Sequence, residues 1–114
     1  MKYTVILNDG PGTERTFNGL RLAGALAERP DTQVRLYCFG DAVACAAPSQ
    51  RGPEGQDITE LVAAAVRAGA TLRACKSCLQ TRGLADTVLV DGTAPATLTD
   101  CADDTAWADK VLTF

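Results

Sequence analysis

Short apolar runs and stretches with a helical period take turns along this chain. Residues 2–8, KYTVILN, form a β-branched apolar run. It stops at Asn8-Asp9-Gly10-Pro11-Gly12, a set of turn formers that neither strand nor helix accommodates. From Thr13 or Glu14 to Arg29 the pattern becomes helical: Phe17, Leu20, Gly24 and Ala27 share a stripe, and Pro30 follows the end. Residues 33–39, QVRLYCF, read as a second strand. Val34, Leu36 and Cys38 lie on one face, Tyr37 and Phe39 on the other, so both faces are expected to be covered.

Gly40-Asp41 opens a short helical turn, AVACAA, and residues 48–56, PSQRGPEGQ, have no period and read as a surface loop. Asp57 is placed to cap the next helix, with Glu60 at N3 completing a capping box. Ile58, Leu61, Val62, Ala65 and Val66 give that helix an apolar stripe, and Gly69 supplies its stop. TLRAC, 71–75, reads as a third strand, a brief helix over 77–82 ends at Gly83, and TVLV, 87–90, reads as a fourth strand. After a turn at Asp91-Gly92, a helix spans Thr97 to Trp107 with Asp100 supporting its first turn, and KVLTF, 110–114, closes as a fifth strand. Strands separated by helices predict βαβ units. The expected fold is therefore α/β in three layers, a five-stranded parallel sheet flanked by helices on both faces, in one domain over 1–114.

Composition narrows the chemistry. The chain has 114 residues, 46% of them hydrophobic and 22% charged, with a net charge of −3. No basic cluster favours a nucleic-acid or anionic-membrane partner, and no apolar run approaches the length of a membrane span. The folded pattern begins at Lys2 without a leader-like segment, so a cytoplasmic location is expected. There are five cysteines and no histidine. An odd count argues against a secreted disulfide framework, and the missing histidine removes Ser-His and Cys-His dyads and mixed Cys/His zinc sites.

In an open parallel sheet, reactive groups gather beyond the carboxyl ends of the strands. Asn8-Asp9-Gly10, Gly40-Asp41 and Cys75 fall there. Cys75 ends a strand and Cys78 lies in the first turn of the following helix, where free amides favour a thiolate; Arg73, Lys76 and Arg82 add nearby positive charge. An accessible thiol of lowered pKa is the reading that this placement favours. The alternative is that both cysteines are small buried residues at a helix–sheet contact. A zinc site lacks a second knuckle, since Cys38 and Cys45 are separated by six residues, and neither metal nor cofactor is expected. A thioredoxin-like dithiol has the right spacing but no preceding tryptophan. Cys38 and Cys101 read as core, while Cys45 reads as core or as a second site thiol. The loop NDGPGTER matches neither glycine-rich phosphate fingerprint and reads as a tight turn capped by Thr13. Asp103 and Asp104 read as surface charge.

VILNDGPGTERTFNGLRLAGAL, YCFGDAVACA, ACKSCLQTRGL and the terminal ADKVLTF together resemble the DsrE-like sulfur-relay family (DsrE, DsrF and TusD-like proteins), in particular its small stand-alone members. The resemblance runs in order through nearly the whole chain. It implies a homo-oligomer, commonly a trimer or hexamer, and a role in accepting sulfane sulfur on a cysteine as a persulfide and passing it on. Donor and acceptor would be thiol- or persulfide-bearing proteins. The family's sulfur-binding cysteine stands eight positions before the glycine of an Arg-Gly pair. With Arg82-Gly83 as that pair, Cys75 is the matching position. Gly40-Asp41-Ala42-Val43 matches the turn after strand two, and Cys45 accompanies it in stand-alone members. Cys78 departs from the small apolar residue that relay members often carry, which leaves three roles open: a resolving thiol, a disulfide partner or a passenger. A non-catalytic oligomeric module and a Cys75/Cys78 redox switch stand as the other functional readings.

Overall fold

The computed structural model describes residues 1–114. Five parallel strands form one sheet: β1 Lys2–Leu7, β2 Gln33–Cys38, β3 Thr71–Cys75, β4 Thr93–Ala96 and β5 Lys110–Thr113, in the order β4-β3-β2-β1-β5. Helices α1 Glu14–Ala27, α2 Ile58–Arg67, α3 Lys76–Thr81 and α4 Leu98–Trp107 connect them, with a 3₁₀ helix over Gly40–Ala46. The first three connections step outward in one direction, and right-handed crossovers put α1, α2 and α3 on one face. The last connection returns across the whole sheet, so α4 covers the opposite face. The result is the three-layer α/β fold with helices on both sides of a five-stranded parallel sheet.

The apolar core lies under α1 and α2. Val5, Leu36 and Leu72 are in register across β1, β2 and β3, and all are buried. On α1 the buried residues are Thr16, Gly19, Leu20, Ala23 and Ala27, a stripe rotated from the expected one. Phe17 and Gly24 are only half-buried, because that side of α1 turns toward α2: a Cβ on Gly24 would stand 4.0 Å from the Ala65 Cβ. Gly19 faces the sheet at such close range that a Cβ would meet Leu7 Cδ2 at 2.6 Å and Phe114 Cγ at 3.0 Å. On α2, Asp57 accepts the Glu60 amide as expected, but the Glu60 carboxylate pairs with Arg67 instead of returning to the cap. The reciprocal capping box belongs to α4, between Thr97 and Asp100.

Residues 87–90 are not the fourth strand. Leu89 and Val90 pack half-buried against the core, and the Val90 amide donates to Ala46 O rather than into a ladder. Val88 is 86% exposed. The place beside β3 belongs to Thr93–Ala96, where Cys75 pairs with Ala96. Pro95, which argues against a strand interior, is tolerated because β4 is an edge. Composition favoured TVLV, but the turn closed by the Thr93 amide on Val90 O brings the next four residues into register.

The face under α4 is polar. Thr4, Arg35 and Arg73 project there, and Asp104 comes down from α4 to meet them, its side chain fully buried. Its Oδ1 lies 3.1 Å from Arg35 Nη1 and 3.6 Å from Arg73 Nη1. Asp104 is thus not surface charge. Arg35 also stacks on Trp107, 3.9 Å from the ring centroid.

Candidate functional site: a thiol pair in a strand-end crevice

Adjacent strands β3 and β4 send their chains to opposite faces of the sheet, β3 into α3 and β4 into α4. Such a divergence opens a crevice at the carboxyl ends of the two strands. Here it is a cleft of about 390 Å³ lined by Cys75, Lys76, Ser77 and Gln80 from one chain segment and Ala96, Thr97 and Leu98 from the other. Cys75 is the last residue of β3 and the N-cap of α3; it lines the cleft but is only 8% exposed, so the thiol expected to be accessible is largely buried, as in the alternative reading for this residue. Tyr37 holds the opposite wall: its buried hydroxyl donates to Thr97 O at 2.7 Å, at the junction of β4 and α4. Burial, followed by the nearby Cys75, pushes the Tyr37 phenol well above its ordinary range, so it stays a donor.

The Cys75 sulfur accepts the Cys78 amide at 3.4 Å and lies 3.3 Å from Ser77 Oγ. Burial pushes this thiol up. Hydrogen bonds from the Cys78 thiol, the Ser77 hydroxyl and the amides of Cys78 and Ser77 outweigh burial and leave it below the ordinary cysteine value. Donors aimed at a sulfur stabilise the thiolate more than the thiol. Cys78 goes the other way: burial raises it, and its hydrogen bond to Cys75 adds to the rise. The Gly40 amide, 3.3 Å from Cys78 Sγ, and the Arg82 charge oppose this without reversing it. The pair is therefore polarised, with Cys75 the better anion and Cys78 the better donor.

Gly40 delivers that amide from a left-handed turn at φ +53°, where a Cβ would also press on Asn8 O at 3.4 Å. Asp41 and Arg82 brace the same corner. Arg82 Nε donates to Asp41 Oδ1 at 2.9 Å, and its Nη1 donates to Cys78 O at 3.2 Å. Asp41, distant in sequence, thus meets Cys75, Cys78 and Arg82 at one strand edge. Cys45 does not join them. It is fully buried on the α1/α2 side in contact with Cys38, whose thiol is pushed up first by that hydrogen bond and then by burial. Cys101 is buried under α4, and burial raises its thiol too.

The local positive charge is more fully committed than the sequence implies. Arg73 lies 3.5 Å from Asp100 and 3.6 Å from Asp104, and Arg82 is held by Asp41, so Lys76 is the cation lining the cleft. Ser77 and Tyr37 were not singled out from the sequence, and Gly40, placed at the strand end, was not given its role as an amide donor to Cys78. Ser77 lies inside the C-x-x-C motif, where a hydroxyl could have been weighed as a donor. Tyr37 was placed only, with Phe39, on the strand face opposite Val34, Leu36 and Cys38.

The chain is thus an α/β protein with an open parallel sheet and Cys75 set in the crevice between two diverging strands. Comparison with known proteins makes this specific: the chain belongs to the DsrE/DsrF-like family, whose pattern it matches over residues 1–114. It is 36% identical to the protein YchN of Escherichia coli K12, with 99% of this chain and 98% of that protein covered. The crystal structure of the E. coli protein superposes with a TM-score of 0.91 over 100% of this chain and 99% of the other. A protein of Methanocaldococcus jannaschii is 34% identical with both chains fully covered. A Methanobacterium thermoautotrophicum protein of unknown function, 13% identical with both chains fully covered, shares the fold at a TM-score of 0.74. No helix of this chain is long and apolar enough to cross a membrane.

Proposed function

We propose that this protein carries sulfane sulfur as a persulfide on Cys75. The observation that supports the reading is the convergence of the Cys78 and Ser77 donors on the sulfur of a cysteine that lines an open cleft. In the loading step, the Cys75 thiolate attacks the outer sulfur of a donor persulfide, R–S–SH. A Cys75 Sγ–S bond forms, the donor S–S bond breaks, and R–S⁻ leaves. In unloading, an acceptor thiolate attacks the outer sulfur and Cys75 departs as the thiolate it began as. Neither step needs a general base, which suits a chain with no histidine. Thiol- or persulfide-bearing proteins would be donor and acceptor. Assembly as a homotrimer or homohexamer would cover exposed apolar side chains such as Val111 on β5.

Intact-mass measurement after exposure to a persulfide donor tests the reading. One added sulfur, about 32 Da, should appear on wild type, map to Cys75 after digestion, and vanish in Cys75→Ser. An adduct that persists in Cys75→Ser refutes it.

A further inference from the structure

Cys78 stands beside the Cys75 sulfur, yet it does not line the cleft. The cleft is bounded on the Cys75 side by Lys76, Ser77 and Gln80, whereas the Cys78 sulfur turns toward the Gly40 amide. A second sulfur added to Cys75 has room in the cleft, on the side away from the half-buried Cys78 thiol. The three sulfurs are then arranged with Cys78 behind the Cys75 sulfur and the outer sulfur in front. A thiolate displaces a sulfur along the S–S axis, so Cys78 is placed to attack the inner sulfur but not the outer one.

We propose that Cys78 is a resolving thiol that discharges the Cys75 persulfide as sulfide, closing a Cys75–Cys78 disulfide. This rests on the carrier reading of Cys75 and adds a second fate for the sulfur when no acceptor is docked. The step is Cys75–S–SH plus Cys78–SH giving Cys75–S–S–Cys78 plus H₂S. The Cys78–Cys75 bond forms and the persulfide bond breaks. The sulfane sulfur takes the electron pair and is reduced, while the two cysteines are oxidised by two electrons. The Cys78 proton leaves with the sulfide. No outside oxidant enters, because the sulfane sulfur is the oxidant; an external dithiol reductant then restores the pair. Lys76 and Ser77 border the space where HS⁻ departs, the former supplying charge and the latter a hydrogen bond.

The experiment loads wild type and the Cys78→Ser and Cys78→Ala variants with a low-molecular-weight persulfide, removes the donor by desalting, and follows sulfide and intact mass together. In wild type the loaded species should give way to one about 2 Da lighter than the reduced chain, with about one sulfide released per adduct lost. In both variants the adduct should stay on Cys75, with sulfide release slowed at least about tenfold. A wild-type adduct that persists without sulfide overturns the proposal and leaves the carrier reading standing. So does migration of the extra sulfur to Cys78, or sulfide release that is equal in the variants. If no adduct forms on Cys75 in any of the three proteins, the carrier reading fails and the resolving role fails with it.

Discussion

Helix α4 is held to the sheet by charge more than by apolar burial, and Asp104→Ala measures how much. Of its ten residues only Cys101 and Asp104 are buried. The substitution removes a carboxylate shared by Arg35 and Arg73 and leaves both guanidinium groups without that partner. Removing one member of a buried ion pair costs about 3–5 kcal/mol. Two features lower that figure. Arg35 and Arg73 are each about one-third exposed and keep other partners, Trp107 and Asp100. The buried Asp104 Oδ2 has no hydrogen-bond partner, so its loss returns part of its desolvation cost, about 1 kcal/mol. The Thr4 hydroxyl keeps its bond to the Asp104 carbonyl, which survives the change. The net expectation is about 2 kcal/mol, a sizeable share of a stability of about 10 kcal/mol for a domain of this size. With an m-value of about 1.5 kcal/mol per molar urea, the midpoint should fall by about 1.3 M. Fluorescence of Trp107, the single tryptophan, reports the event from α4 itself. In a double-mutant cycle, Arg35→Met and Asp104→Ala should couple, because each removes the other's partner. A midpoint change below about 0.3 M, or strict additivity in the cycle, would refute the claim that this pair anchors the helix.

Gly19→Ala tests the close approach of α1 to the sheet. Alanine raises helix propensity by about 1 kcal/mol, but crowding Leu7 and Phe114 costs about 1–3 kcal/mol, so thermal melts should show net destabilisation; a more stable variant would show that the core yields easily. For Cys75, iodoacetamide modification should level off with rising pH below the value for free cysteine, about 8.5, and Ser77→Ala should move that plateau to higher pH. The same lowered value sets a stability difference between wild type and Cys75→Ser. Since the folded pKa is depressed, the ionised thiol contributes fully above the unfolded value and loses that contribution as pH falls through the folded one. The wild-type advantage in urea should therefore grow from pH 6 to pH 9, while the raised thiol of Cys38, whose causes do not involve Cys75, cancels from the difference. An advantage that shrinks over this range would show that Cys75 is not stabilised as the anion.

The strands that carry the apolar core were legible because burial and β-propensity agree in them. Val34, Leu36 and Cys38 alternate with Tyr37 and Phe39, and the structure keeps that alternation. β4 was misread because the two signals part company there. TVLV has the composition of a strand, whereas Thr93-Ala94-Pro95-Ala96 has almost none of it. An edge strand with one neighbour needs little propensity once a turn delivers it in register, and such tertiary placement leaves no mark in local composition. Asp104 was misread for a related reason. An acidic pair on an amphipathic helix reads as solvent-facing, and its partners, Arg35 and Arg73, lie at sequence separations that no periodicity connects.

The same distinction governs the site. That a thiol sits at a strand end is local information, and the sequence carries it. Which side of that thiol is open depends on β4, the element that was misplaced. With the fourth strand at 87–90, Ala96, Thr97 and Leu98 have no fixed relation to Cys75, and the two cysteines remain an undirected pair. With β4 at Thr93–Ala96, Ala96 is in register with Cys75 and the Thr97 turn becomes the far wall of the cleft. Cys78 then falls outside the cleft lining and Ser77 within it. A C-x-x-C spacing brings two sulfurs together but does not say which receives substrate. Here the direction comes from an edge strand and a departing helix, neither of which contributes a thiol to the pair.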